Sequence, residues 1–205
     1  FKMNKIILMT MAVICLIIIP VHSQDHSQLT GYIEHYSDSM LTVALQPGMI
    51  ISITKGDKVI YEKSKGLANI DTKAPMFTDL RFRIGSLTKT FTCTVILQLV
   101  DEKKLTLDES IEKYFPNLPN AKNITIRMLG DMTSGLYNYS EAKEFDDSMQ
   151  AHPKKLWKPE ELVEVSVRNG TYFEPGKGWH YSNTNTTLLG MIIEKITGNS
   201  LPGEI

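Results

Sequence analysis

The chain has 205 residues, 42% of them apolar, with 22 basic and 23 acidic side chains and a formal charge of −1. That length and apolar content are enough to bury one good core with a smaller attached lobe. The near-neutral balance gives no support to nucleic-acid binding, and two cysteines exclude a disulfide-stapled scaffold.

Ile6–Ile19 is an apolar stretch preceded by Lys2 and Lys5 and followed by Pro20 and Ser23. It is too short for a bilayer span, which needs about 20 residues. A basic start, a short apolar centre and a small residue before a cut describe a secretory signal peptide over residues 1–23, with an uncleaved membrane anchor as the alternative. The expected location is therefore secreted or cell-envelope, with only transient membrane contact. Removing that segment leaves 20 basic residues against 23 acidic, and only Cys93 of the two cysteines. No His or Cys cluster suggests a metal, and no cofactor motif is present.

Leu29, Ile33, Tyr36 and Met40 recur at helical spacing and predict an amphipathic helix ended by Gln46-Pro47-Gly48. Met49–Thr54 and Lys58–Lys65 flank the polar turn Lys55-Gly56-Asp57 and read as a β-hairpin. From Ser86 to about Asp101 the apolar residues nearly encircle a predicted helix, which should be central and buried on most sides. Thr106-Leu107-Asp108-Glu109 reads as a capping box opening a short helix closed by Pro116, and Thr125 reads as the cap of another running toward Thr133. A third starts at Pro159-Glu160-Glu161 and ends at Asn169-Gly170, and a fourth runs from Thr186 to Thr197, stopped by Gly198. The order predicts an α+β domain over residues 24–205, with a helical lobe at about 102–180.

Ser86 and Lys89 stand three residues apart at the mouth of the apolar helix, so the amine can reach the hydroxyl. A serine is a poor nucleophile unless a base takes its proton. Desolvation and the helix dipole would both favour the neutral, basic form of the lysine, and the Ser86 N–H offers an oxyanion donor. Ser-x-x-Lys also occurs at Ser52, Ser110 and Ser140, where a strand, a polar helix and a charged loop lack that environment. On this pattern alone, a helix-capping serine fits equally well.

Tyr181 and Asn183 follow the turn-forming Pro175-Gly176 and share a side of an extended segment. A phenol can pass a proton between base and leaving group, and an asparagine amide can orient a substrate and bond the lysine. An ordinary loop with a packing tyrosine fits these residues as well. His180 reads as a loop histidine, and Trp179 fits cleft lining and packing equally. Asn123, Asn138, Asn169 and Asn185 open Asn-x-Ser/Thr triplets, a pattern common by chance.

Taken together, Phe82-Arg83-Ile84-Gly85-Ser86-Leu87-Thr88-Lys89, Lys104-Leu105-Thr106-Leu107-Asp108, Thr133-Ser134-Gly135-Leu136, Glu174-Pro175-Gly176, Tyr181-Ser182-Asn183 and Leu188-Leu189-Gly190 resemble the serine β-lactamase and penicillin-binding superfamily. The similarity is to the class C β-lactamase and D-alanyl-D-alanine carboxypeptidase type, over roughly residues 28–199. It implies an antiparallel sheet flanked by helices, Ser86 as acylated nucleophile, Lys89 as its base partner, Tyr181 as proton shuttle and Asn183 as substrate positioner. The implied activity is cofactor-free hydrolysis of D-Ala peptides, β-lactams or related esters and amides, with small molecules or peptides as partners. A ligand-acylated sensor without turnover is the alternative. The family's Lys/His-Thr/Ser-Gly strand is absent, since Thr197-Gly198 sits at a helix end, and the expectation is a truncated chain lacking the C-terminal strands. Met132 stands where relatives often carry histidine, away from the inferred proton path.

Overall fold

The computed structural model describes residues 27–205, so the expected signal segment lies outside the described residues. The chain divides at Phe82 into two compact units.

The first unit opens with helix α1, Ser27–Thr42. Strands β1, Gly48–Lys55, and β2, Lys58–Asn69, pair antiparallel from Gly48 opposite Gly66 to Lys55 opposite Lys58, with one irregularity at Ile53/Thr54. The two-residue strand β3, Ala74–Pro75, pairs antiparallel with the far end of β2, giving the order β1-β2-β3. The hairpin falls where the β-branched alternation predicts it, and β3 adds a short third strand to it. The helix forms too, but its predicted apolar stripe is not the buried one, since Leu29, Tyr36 and Met40 are exposed. The face turned to β2 is ionic. Glu34 accepts hydrogen bonds from Lys63, Lys65 bridges Glu34 and Asp38, and Tyr61 OH donates to Glu34 at 3.0 Å. Hydrogen bonds from Lys63, Lys65 and Tyr61 pull the Glu34 carboxyl down to about 2.

The second unit, from Arg83, holds a 3₁₀ turn at Gly85–Leu87 followed by α2, Thr88–Asp101. Next come a 3₁₀ turn at Ile111–Lys113, α3 at Ile126–Gly130, a 3₁₀ turn at Tyr139–Glu141, and α4 at Lys143–Ala151. The chain then forms α5, Pro159–Arg168, α6, Asn183–Thr197, and α7, Leu201–Glu204. Fifteen buried apolar residues form one core. Its axis is α6, whose Leu188, Leu189, Ile192 and Ile193 are at most 1% exposed, each burial favouring the fold by about 1.5–3 kcal/mol.

That placement corrects the reading of α2 as the central helix. Only its Thr92, Val95, Ile96 and Leu99 face is buried, while Phe91 and Leu97 are about half exposed. An apolar residue on every side measures what a helix could bury, and only the 92-95-96-99 stripe of α2 meets the core.

Caps explain most other boundaries. Thr125 Oγ1 accepts from Met128 N–H and starts α3, which stops at Gly130 rather than continuing to Thr133. Glu161 reaches back to the Lys158 N–H at 2.8 Å and secures the first turn of α5. The predicted Thr106 capping box does not form. Ser110 caps instead, accepting from Glu112 N–H, and Glu109 accepts from Tyr114 OH at 2.5 Å. The helix expected up to Pro116 is therefore only the 3₁₀ turn. Helix α4 and the helical turn α7 are additions to the predicted elements.

Candidate active site

Four side chains singled out in the sequence meet in the second unit. Ser86 sits in the 3₁₀ turn ahead of α2 because Gly85 takes φ +55°, a conformation side-chain-bearing residues avoid, and turns the chain into the helix. Lys89, one turn later, donates to Ser86 Oγ at 3.2 Å and to Asn183 Oδ1 at 2.7 Å. Its ammonium also lies 4.9 Å from the centre of the Tyr181 ring. Tyr181 OH and Ser86 Oγ are 2.8 Å apart and share a hydrogen bond.

The phenol loop is built from two strands of irregular chain. Residues 132–136 bond to residues 171–180 through Tyr172 N–H to Gly135 O, Gly176 N–H to Thr133 O, and His180 N–H to Met132 O. Gly135 is required there: it has φ +76°, and a Cβ would fall 2.0 Å from the Phe173 carbonyl oxygen. Beneath them, buried Ser134 donates to the fully buried Asn185, whose amide also reaches Met132 Sδ at 3.4 Å. Ser182 is extended, and α6 begins at Asn183 rather than Thr186. Tyr181 thus ends the loop and Asn183 opens the helix, which turns both toward Lys89.

Electrostatics single out the phenol. Burial pushes Tyr181 up, but hydrogen bonds from Lys89 and Ser86 and the lysine's charge outweigh it and leave the phenol below its ordinary value. The cation stabilises the phenolate, so Tyr181 can accept the serine proton more readily than a free tyrosine.

The arrangement also contains residues that the sequence did not single out. Asn138 Oδ1 accepts from the Asn183 N–H and from Ser140 Oγ, both at 3.0 Å. Asn183 Nδ2 donates to Ser140 Oγ at 2.9 Å. Glu141 accepts from Asn138 Nδ2 at 2.9 Å and from Tyr172 OH at 2.7 Å. Hydrogen bonds from Tyr172 and Asn138, with help from His180, hold the Glu141 carboxyl below the usual range. The Tyr137 carbonyl accepts from Ser166, Ser182 and Thr184, tying this segment to α5 and α6. The available signal is the polar run Asn138-Tyr139-Ser140-Glu141, one residue after Thr133-Ser134-Gly135-Leu136. Ser140 was set aside with its partner Lys143, and that lysine does turn away, to Asp147.

The remaining candidates have other environments. His180 Nδ1 bonds the Tyr181 carbonyl and its ring stacks on Tyr172 at 3.7 Å. Trp179 is exposed, and Cys93 is a half-buried residue at the core margin whose thiol is pushed up by burial. Asn138 and Asn185 are buried and closed to glycosylation in the folded unit, whereas Asn123 and Asn169 are exposed. Gly198 ends α6 in a left-handed cap. Among the described residues, no group of three or more His, Cys, Asp or Glu could hold a metal, and no helix is long and apolar enough to cross a membrane.

Comparison with known proteins shows what the chain is similar to. Residues 38–203 match the family model described as Beta-lactamase. The chain is 34% identical over 155 residues to penicillin-binding protein 4* of Bacillus subtilis (strain 168), covering 75% of this chain and 33% of that protein. It is 30% identical over 178 residues to the D-aminopeptidase of Brucella anthropi, covering 86% and 32%. Among solved structures, a D-stereospecific amidohydrolase from Streptomyces sp. superposes with a TM-score of 0.71 at 34% identity, over 83% of this chain and 51% of the other. The D-amino acid amidase from Ochrobactrum anthropi SV3, complexed with L-phenylalanine amide, does so with a TM-score of 0.73 at 33% identity, over 86% and 49%. The chain therefore spans about a third of the length of these curated relatives and about half that of the solved structures.

Proposed function

Because the chain belongs to the Beta-lactamase family, we propose that the protein carrying it is a serine hydrolase that acylates Ser86. Its substrates are amides or peptides of D-amino acids, with β-lactams and related esters as alternative acyl donors. The observation that carries this reading is the Ser86 Oγ contact with Tyr181 OH at 2.8 Å, combined with Lys89 bonded to Ser86 and Asn183. The substrate class comes from the relatives named D-aminopeptidase, D-stereospecific amidohydrolase and D-amino acid amidase.

In this mechanism Tyr181, held toward its phenolate by Lys89, takes the Ser86 proton as Oγ attacks the acyl carbon. The Ser86 N–H at the helix start is one donor to the oxyanion. Tyr181 then returns the proton to the leaving amine, and the C–N bond breaks. Water, deprotonated by the same phenol, releases the acid and regenerates Ser86. The spacing of Ser86 and Lys89 points to the lysine as base; in the proposed mechanism the phenol takes that role, supported by the hydrogen bonds and charge that lower it, and the lysine is its electrostatic partner. We propose export as the setting, on the strength of the signal-like residues 1–23.

The test is mass spectrometry of the intact protein after exposure to a D-amino acid amide, a penicillin or a serine-reactive phosphonate. A single adduct on the Ser86 peptide is expected, absent in Ser86→Ala, and equal labelling of that variant would overturn the assignment. The name penicillin-binding protein 4* of one relative favours a second reading, a sensor acylated without turnover. A stoichiometric burst that stops supports the sensor, and steady product release supports the hydrolase.

A further inference from the structure

We propose that Glu141, Asn138 and Ser140 are positioning residues that fix which end of the Asn183 amide faces Lys89. This inference rests on the reading of Ser86 as the nucleophile and extends it to residues that do not touch the reacting atoms.

An asparagine side chain has an accepting end and a donating end of nearly the same shape. Turned one way, Asn183 gives Lys89 a carbonyl oxygen and a charge-assisted hydrogen bond. Turned the other way, it sets an NH₂ against the ammonium, donor against donor. The lysine then loses the partner that holds it beside Ser86 and Tyr181. Asn183 cannot settle this choice itself, so the orientation must come from its neighbours.

The bonds around Asn183 have a single consistent direction, and it starts at a carboxylate. Ionised Glu141 can only accept, and it takes Asn138 Nδ2 at 2.9 Å. Asn138 must therefore turn its oxygen the other way, where it meets the Asn183 N–H and Ser140 Oγ, each at 3.0 Å. Ser140 has one hydroxyl proton, and Asn138 Oδ1 takes it. Ser140 Oγ is left as an acceptor and receives Asn183 Nδ2 at 2.9 Å. Only then does Asn183 Oδ1 point at Lys89, at 2.7 Å. Each link agrees with the one before it: the Glu141 carboxylate and the backbone N–H groups of Asn183 and Ser140 orient Asn138 in the same sense, and Ser140 passes that sense to the Asn183 amide.

The same carboxylate steadies the phenol side. Tyr172 OH donates to Glu141 Oε2 and accepts the Asn138 N–H, and the Tyr172 ring stacks on His180, the residue before Tyr181. Asn138 is 3% exposed, so an unmet polar group there would not be rescued by solvent.

The experiment compares wild type, Ser140→Ala, Ser140→Thr and Glu141→Gln in the intact protein with two readouts. The first is the side-chain amide NMR signal of Asn183, assigned by its loss in Asn183→Asp, which needs no activity. The second is the rate of Ser86 acylation by the penicillin probe. Ser140→Ala and Glu141→Gln should shift or broaden the Asn183 signal while core amide signals stay in place. Both should slow acylation by about 5- to 150-fold, the rate equivalent of one buried hydrogen-bonding group left unmet. Ser140→Thr, which keeps the hydroxyl, should restore both. An unchanged Asn183 signal in Ser140→Ala overturns the relay, as does an equal loss in Ser140→Thr. If wild type shows no acylation at all, the hydrolase reading fails, and the Asn183 signal still decides the relay.

Discussion

Between Ser27 and Phe82 a single apolar residue, Tyr61, is buried, and α1 is held to the sheet by Glu34, Asp38, Lys63 and Lys65. From Arg83 onward fifteen apolar residues form a continuous core, and the polar groups gathered over it are the site. The first unit is organised by charges at its rim, the second by apolar packing, with ion pairs such as Arg127–Asp108 and Lys143–Asp147 on its surface. Substituting a rim charge of the first unit should therefore change stability, and substituting Lys89 in the second should change acylation with the core intact. Variants that move one property without the other test that division.

The largest effect is expected at Lys89. Lys89→Met keeps the stem and removes the cation, so the fold should persist while acylation falls about 10²- to 10⁴-fold, the range for a lost acid–base partner. The sign of the pH effect follows from Tyr181: the lysine lowers the phenol, so its removal raises it. The rising limb of the rate–pH profile should therefore move to higher pH. A profile that keeps its position in Lys89→Met would show that the phenol is not the base.

Packing in the second unit comes next. Ile192 is fully buried on α6, and Ile192→Ala should cost about 2–5 kcal/mol through lost transfer energy and an unfilled cavity. In the first unit Val59, which is 57% exposed on β2, should change stability by only about 0.5 kcal/mol or less when made alanine. Denaturant melts followed at the two tryptophans, both in the second unit, and at the tyrosines of the first separate the two effects. Equal losses would break the contrast.

What the sequence disclosed follows the same line. The hairpin, the Thr125 cap, α5 and α6 were legible because their signals are local: β-branched alternation, a capping hydroxyl, a proline start, a glycine stop. Ser86 and Lys89 were legible because their spacing is a single helical turn. Helix α4 was missed because KEFDDSMQA offers only Phe145 and Met149 as an apolar pair. The central place of α6 was misassigned to α2 because hydropathy shows which faces can be buried, while tertiary packing decides which are. The relay around Asn183 could not be read because Asn138 and Ser140 lie 45 and 43 positions from it. A hydrogen bond across such a gap leaves no periodicity.

Glu34 is the sharpest probe of the first unit, through the pH dependence of its stability. Its carboxyl sits at about 2, well below its ordinary value of 4.5, because Lys63, Lys65 and Tyr61 bond to the charged form. A depressed folded-state value means stability that is fully present above about 4.5 and is lost as pH falls toward about 2. Glu34→Gln should therefore weaken the docking of α1 at neutral pH and flatten the dependence of stability on pH across that window. The loss should shrink in high salt, because the pairs at this rim are partly exposed and screened. The measurement is hydrogen exchange at the β2 amides between pH 2 and pH 5, where wild type should lose protection on acidification more steeply than the variant. Parallel curves would mean that something other than the Glu34 charge holds the helix to the sheet. In the second unit the same substitution should leave core protection unchanged.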